Sequence, residues 1–337
     1  MRILVTGASG FIGREIVSEL AENDHQVFAL ENSRKTSGEN TSNTVYFQAN
    51  ITDYKNLLDL EMIGDIDVII HSAGLAHQFG ETTKEEFDAV NVVGTENILE
   101  LAVKLRVKHF IMIGSTAVYG ILSAVQKSHP RTSAIDEDSA LDPQTLYAES
   151  KLKSEKICRR FCGDKNIALT IFRLAPVIGE AGVGNVARLI SAIDKNRFIW
   201  IGSGDNLKSL IYKRDVARAC AAVVAKKQNK TEIFNLAAEP LKMKDFVNEI
   251  AVRLNKRIVP VSVPAYFLRT IFKVNSKVFK SKKIKKISDT VEKWLSDDVY
   301  SADKIAKIYD YKPQTTIRKA IARQVDFYKT NKERTDR

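Results

Sequence analysis

Met1-Arg2-Ile3-Leu4-Val5-Thr6-Gly7-Ala8-Ser9-Gly10-Phe11-Ile12-Gly13 opens the chain. Residues 2–6 form a short apolar run of strand type. Glycines at 7, 10 and 13 follow it, and residues 12–23 then carry apolar side chains at helical spacing. A strand, a glycine turn and a helix in that order place bare backbone beside the start of a helix. Its free N–H groups and positive dipole end suit a pyrophosphate. A glycine triplet alone says little, but this context makes it specific.

The same alternation continues outward. Residues 27–30, 45–48, 68–71, 109–113 and 168–172 read as strands, and residues 85–104 and 146–161 as amphipathic helices. Alternating strands and helices predict an α/β fold: a doubly wound parallel sheet of Rossmann type, covered on both faces. Past residue 175 the pattern loosens into glycine-rich turns (179–184, 202–204), then a strand at 232–236 and a helix at 243–254. The expected division is a dinucleotide-binding domain over 1–175, with returning elements near 205–240. A smaller C-terminal substrate subdomain covers 176–330, and the polar tail 329–337 reads as frayed.

Composition removes several classes. The 337 residues are 44% hydrophobic and 28% charged, a globular balance. No apolar run reaches the roughly 18 residues a membrane span needs. Met1 leads directly into the first strand, so no cleaved leader is expected. Three scattered cysteines and five histidines without ligand spacing argue against a disulfide scaffold and a metal centre.

Further residues carry chemistry. Glu31 ends the second strand, where a carboxylate can accept both ribose hydroxyls of NAD and repel a 2′-phosphate. Ser33, Arg34 and Lys35 follow it and are suited to hold that phosphate instead, but the position of the acid favours NAD over NADP. Tyr147 and Lys151 stand at i and i+4 of a helix, on one face. A cation there would lower the phenol pKa towards that of a usable base. The spacing alone fits a solvated surface pair better. Ser115, in Ile113-Gly114-Ser115-Thr116-Ala117-Val118-Tyr119-Gly120, stands at a C-terminal strand edge, where ligands bind in such sheets. Taken singly it is an ordinary turn residue.

In this order the motifs resemble the extended short-chain dehydrogenase/reductase family, and within it the NAD-dependent sugar-nucleotide epimerases. His71-Ser72-Ala73-Gly74-Leu75, Asn91-Val92-Val93-Gly94-Thr95 and Gly184-Asn185 add to the likeness, which covers most of the chain. The resemblance implies Ser115, Tyr147 and Lys151 as the catalytic triad. It implies Gly7, Gly10, Phe11, Ile12 and Gly13 at the pyrophosphate, Glu31 at the adenosine ribose, and Asn50 and Ile51 beside adenine. Asn50 replaces the usual Asp. Ala73, Gly74 and Leu75 match the loop under the cofactor, with Asn91 on the neighbouring helix. Asn185 matches a substrate-diphosphate residue, and Lys208 stands where a phosphate-binding Arg is usual.

Two departures narrow the activity. The family's 4,6-dehydratases carry Asp-Glu after the catalytic hydroxyl residue, whereas Thr116-Ala117 follow Ser115. Epimerases of UDP-sugars usually have Asn where Ala175 stands in Arg173-Leu174-Ala175-Pro176. The stretches 179–186, 201–209 and Val263-Pro264 resemble a branch holding N-acetylglucosaminyl-diphospho-undecaprenol 4-epimerases and lipopolysaccharide sugar oxidoreductases. The implied activity is 4-epimerisation of a diphosphate-linked hexose or N-acetylhexosamine through a 4-keto sugar, in surface polysaccharide synthesis. The rivals are a sugar-nucleotide dehydrogenase or 4-ketoreductase and, from another class, a non-catalytic cofactor sensor or scaffold.

The net charge of +11 is concentrated: residues 253–293 hold twelve Lys or Arg and two acids, Asp289 and Glu292. Within 264–287, Phe267, Leu268, Ile271, Phe272, Val274, Val278 and Phe279 fall on one helical side, and Arg269, Thr270, Lys273, Lys277 and Lys280 on the other. That pattern suits peripheral contact with an anionic membrane, each basic residue being worth about 1 kcal/mol. It equally suits a cap on the substrate cleft. Without a recognisable module, nucleic acid is not an expected partner. A cytoplasmic enzyme, peripheral at the inner membrane face and homodimeric, is the expectation.

Overall fold

The computed structural model describes residues 1–32, 40–76, 82–120, 134–226, 229–259, 262–264, 266 and 291–335. Ser33, Arg34, Lys35 and, apart from Pro264 and Tyr266, the segment 264–287 lie outside the described residues.

Seven strands form one parallel sheet: β1 (Arg2–Thr6), β2 (Gln26–Glu31), β3 (Thr44–Gln48), β4 (Val68–His71), β5 (His109–Ser115), β6 (Ala168–Leu174) and β7 (Thr231–Leu236). Their order is β7-β6-β5-β4-β1-β2-β3. The chain runs outward one way from β1 and the other way from β4. The crevice between their C-terminal ends is therefore the switch point where such sheets take ligands.

Both faces of the sheet are covered, which is why its inner strands are largely apolar. Ile3 and Val5 of β1 join one core with Ile16, Val17 and Leu20 of α1 (Gly13–Glu22) and Val216 and Cys220 of α5 (Lys213–Val224). Leu4 points the other way, into a core with Ile98 and Leu101 of α2 (Gly94–Lys104) and Cys158 and Cys162 of α3 (Leu146–Asp164). A third apolar cluster joins α4 (Asn185–Asp194), α6 (Met243–Arg253) and α7 (Ile317–Thr335) through residues such as Leu189, Phe246 and Ile321.

Two details differ from the sequence expectation. Residues 85–104 are not one regular helix. A short helix Lys84–Phe87, capped by Thr83 and Glu86, passes through a π turn at Asp88–Val93 before α2 begins. The π turn accommodates an extra residue and re-aims Asn91, as such bulges do near functional sites. The tail is also helical as far as Thr335. Tyr328 Oη and Lys332 Nζ both reach Asp194, at 3.0 and 2.6 Å, and tie it to α4.

Candidate active site

The turn after β1 is built from close backbone contacts. Gly7 has φ +68°, and a Cβ there would lie 2.7 Å from Ala73 N and Cα. A Cβ on Gly13 would lie 2.0 Å from Gly7 O. Gly10 N donates to Gly7 O at 2.9 Å, and Ile12 leads into α1. This turn, held against the Ala73 loop and free of side chains at three positions, fits a dinucleotide pyrophosphate. Glu31 is buried at the C-terminal end of β2. Farther along that edge, Asn50 Oδ1 accepts from Thr52 N at 3.0 Å. Ile51 O accepts from Asn97 Nδ2 at 2.8 Å, and the Ile51 side chain packs on Gly94.

Asn91, re-aimed by the π turn, clamps the loop after β4. Its Oδ1 accepts from Leu75 N at 2.7 Å, and its Nδ2 donates to Leu75 O at 3.0 Å and to Ser150 Oγ at 2.9 Å. Ser150 Oγ in turn donates to Tyr147 O at 2.8 Å. The loop and the first turn of α3 are thereby fixed to one amide. Gly74 completes the floor: a Cβ there would lie 3.2 Å from Asn91 Oδ1 and 3.5 Å from Lys151 Nζ.

Thr145 caps α3, accepting from Ala148 N at 3.1 Å, and so sets the position of Tyr147. Ser115, the last residue of β5, accepts from Ala117 N at 3.1 Å and donates to the Tyr147 phenol. Burial raises the Tyr147 pKa, and the Ser115 bond opposes the rise. Lys151 is buried one turn later and donates to Ile113 O at 2.7 Å. Burial lowers its pKa to about 8. Ser115, Tyr147, Lys151, Gly74 and Asn91 thus converge on one spot at the switch point.

The remaining two sequence candidates stand on elements beyond β6. Asn185 is the first residue of α4, after Gly184 at φ +87°. Lys208 is already engaged: its ammonium lies 2.6 Å from Asp298 Oδ2 and 2.6 Å from Lys293 O.

A buried relay beneath the site was not evident from the sequence. Ala73 N donates to Thr6 Oγ1 at 3.1 Å, and Thr6 Oγ1 meets His71 Nδ1 at 2.8 Å. His71 Nε2 meets Thr95 Oγ1 at 3.0 Å, and Thr95 donates to Asn91 O at 2.6 Å. Because the Thr95 proton is committed to Asn91, His71 must donate from Nε2 and accept at Nδ1. Burial, with the Lys151 charge nearby, lowers the His71 pKa to about 3 and keeps the ring neutral. A histidine ending a buried strand was the available signal, but its partners Thr6 and Thr95 come from two distant segments.

Comparisons with known proteins bear on the fold and the family. The chain is 28% identical over 269 residues to N-acetyl-alpha-D-glucosaminyl-diphospho-ditrans,octacis-undecaprenol 4-epimerase of Escherichia coli O157:H7, covering 78% of this chain and 75% of that one. It is also 28% identical over 249 residues to human dTDP-D-glucose 4,6-dehydratase, covering 70% and 68%. Its fold matches the crystal structure of UDP-glucose 4-epimerase with UDP-glucose from Thermotoga maritima. The TM-score there is 0.75 at 20% identity, over 98% of this chain and 99% of the other. The profile of one family matches residues 3–237, which span the glycine turn, the Ser115–Tyr147–Lys151 group and all seven strands of the sheet, so the chain belongs to the NAD dependent epimerase/dehydratase family.

Proposed function

We propose that this protein is a 4-epimerase of a hexose or N-acetylhexosamine carried on a diphosphate, either a UDP-sugar or a polyprenyl-diphospho-sugar, in surface polysaccharide synthesis. The observation that carries the reading is the Ser115–Tyr147 hydrogen bond, with Lys151 anchored one turn along the same helix. Bound NAD would supply a reversible hydride acceptor for the sugar carbon. Tyr147 removes the proton of the 4-hydroxyl, and Ser115 holds the same oxygen. Lys151 orients the nicotinamide ribose and favours the phenolate through its charge. Asn185 and, if it exchanges Asp298 for phosphate, Lys208 anchor the diphosphate while the sugar turns.

The epimerase reading is preferred to dehydration because the residues after Ser115 carry no acid. Thr116 Oγ1 is buried and donates to Leu174 O at 3.1 Å, and Ala117 has no polar side chain. The test is product analysis with UDP-GlcNAc and GlcNAc-diphospho-undecaprenol in parallel, without added dinucleotide. Epimer formed with no net change in reduced-dinucleotide absorbance is the expected result. Stoichiometric dinucleotide consumption would sink it in favour of a dehydrogenase or ketoreductase.

Substrate-side residues 176–330, cytoplasmic placement and a homodimer belong to the same reading. So does peripheral contact with the inner membrane face through 264–287. No described helix is long and apolar enough to cross a membrane. Neutralising Lys282, Lys283, Lys285 and Lys286 should abolish flotation with anionic liposomes. Equal flotation of both proteins, or none of either, counts against the contact.

A pH dependence follows from Lys151. Its pKa near 8 lies below the ordinary lysine value, so in dinucleotide-free protein the ammonium is lost as pH rises through 8. NAD affinity should weaken across that range and stay flat in Lys151→Met. The contribution to stability has the opposite sign. Between pH about 8 and the ordinary lysine pKa near 10.4, the unfolded chain binds the extra proton, so this group makes the fold more stable as pH rises. Calorimetry and dinucleotide titration over the same buffers separate the two effects.

A further inference from the structure

Lys213 carries a contact set that the family chemistry leaves unexplained. It begins α5 with its side chain only 8% exposed. Its ammonium lies 2.8 Å from Glu15 Oε1, in the first turn of α1, and 3.5 Å from Glu180 Oε2, in the loop that leads to Asn185. The same ammonium sits 5.6 Å from the centroid of the Phe11 ring, inside the glycine turn. Its methylene stem runs under Gly179 so closely that a Cβ there would fall 2.9 Å from Lys213 Cγ. Gly179 takes φ +149° to allow this.

Glu180 is held from behind as well. Tyr212 Oη donates to its carboxylate at 3.1 Å and itself accepts from Arg323 Nη1 at 2.7 Å. Gln324 Oε1 accepts from Gly179 N at 3.2 Å. The substrate-side loop is therefore pinned to α7, and Lys213 joins that pinned loop to the glycine turn.

We infer that Lys213 is a positioning residue, a bridge between the cofactor turn and the substrate loop that slows release of the dinucleotide. This rests on the proposed function. An epimerase must keep one dinucleotide through two hydride transfers, whereas a dehydrogenase exchanges it each turnover. β1 and β6 are separated in the sheet by β4 and β5. The Ser115–Tyr147–Lys151 group borders the crevice from β5 and α3. The Lys213 bridge ties Glu15 and Phe11, at the glycine turn and the start of α1, to Gly179 and Glu180. To break that tie, the loop at Glu180 must leave a buried ammonium, which is costly when the partner charge stays behind.

The test uses the full chain loaded with NADH, with release followed by loss of bound-nucleotide fluorescence during a chase with excess NAD. Lys213→Met keeps the stem and removes the charge, and Glu15 retains Arg214 at 3.5 Å. Glu180→Gln keeps the shape of the other end. Both should release NADH at least about tenfold faster, and Lys213→Arg should restore slow release. Melting of the dinucleotide-free proteins is measured alongside. Release within twofold of wild type in both variants overturns the inference, as does faster release that only tracks a lower melting temperature. A wild type that holds no dinucleotide overturns the proposed function as well. A wild type that holds it, with variants that hold it equally, overturns the bridge alone.

Discussion

Tyr147→Phe should lower turnover by about 10²–10⁴-fold, the range that a positioned acid–base group contributes, while dinucleotide binding and folding persist. The removed oxygen accepts from Ser115, whose Oγ keeps its bond from Ala117 N. The ring itself stays, packed 6.0 Å from the Phe87 ring, so no cavity forms. Lys151 keeps Ile113 O, and Ser150 still donates to the backbone of residue 147. The loss should therefore fall on kcat, with dinucleotide affinity and melting temperature near wild type. Burial already holds the resting phenol in its neutral form. Lys151, one helical turn along the same face, is the resident cation that can favour the phenolate, so Lys151→Met should share most of the loss. Wild-type turnover in Tyr147→Phe would remove the phenol from the chemistry, and an unchanged cellular phenotype in a strain carrying the variant would favour the scaffold reading.

The parts of this site that were legible in the sequence are those set by local spacing. The glycine turn follows from three glycines between a strand buried on both faces and an amphipathic helix. The Tyr147–Lys151 pair follows from one helical turn, and Ser115 from the end of a buried strand. Contacts that join distant segments leave no such trace. Lys213 meets residues 15 and 180, and Lys208 meets Asp298, ninety positions later. Lys208 was visible as a cation but not as an engaged one. The π turn at Asp88–Val93 escaped because one inserted residue barely disturbs an apolar period. The polar stripe of α3 hides a further set of such contacts. Lys151, Ser154 and Glu155 look solvated by composition, yet all three are buried. Their partners come from β5, the π turn and β6.

Arg173 is the clearest case of a buried charge set by such long-range partners, and Arg173→Met should cost about 3–5 kcal/mol of stability, the usual cost of stranding a buried charge. The side chains of Arg173 and Glu155 are 2% and 3% exposed. The guanidinium meets Glu155 through Nε at 3.1 Å and Nη2 at 2.5 Å. Its Nη1 donates to Tyr119 Oη at 2.8 Å and Glu137 O at 3.1 Å. Arg173→Met leaves a carboxylate in the core without its cation. Removing both charges, as Arg173→Met with Glu155→Met, should recover most of the loss, because buried pairs are often no more stable than apolar replacements. Urea unfolding of the wild type, both single variants and the double variant measures the coupling directly. A single variant no less stable than the double would show that the charge is hydrated in the fold. The pair has a second consequence for the site. Arg173 lies opposite Gly114 in the β5–β6 ladder, and Glu155 lies one turn beyond Lys151 on α3. The ion pair therefore sets how α3 meets the strand that ends in Ser115. The double variant should fold nearly as well as wild type yet turn over more slowly, because the distance between Ser115 and Tyr147 is no longer held by two bonds at the next turn of the helix.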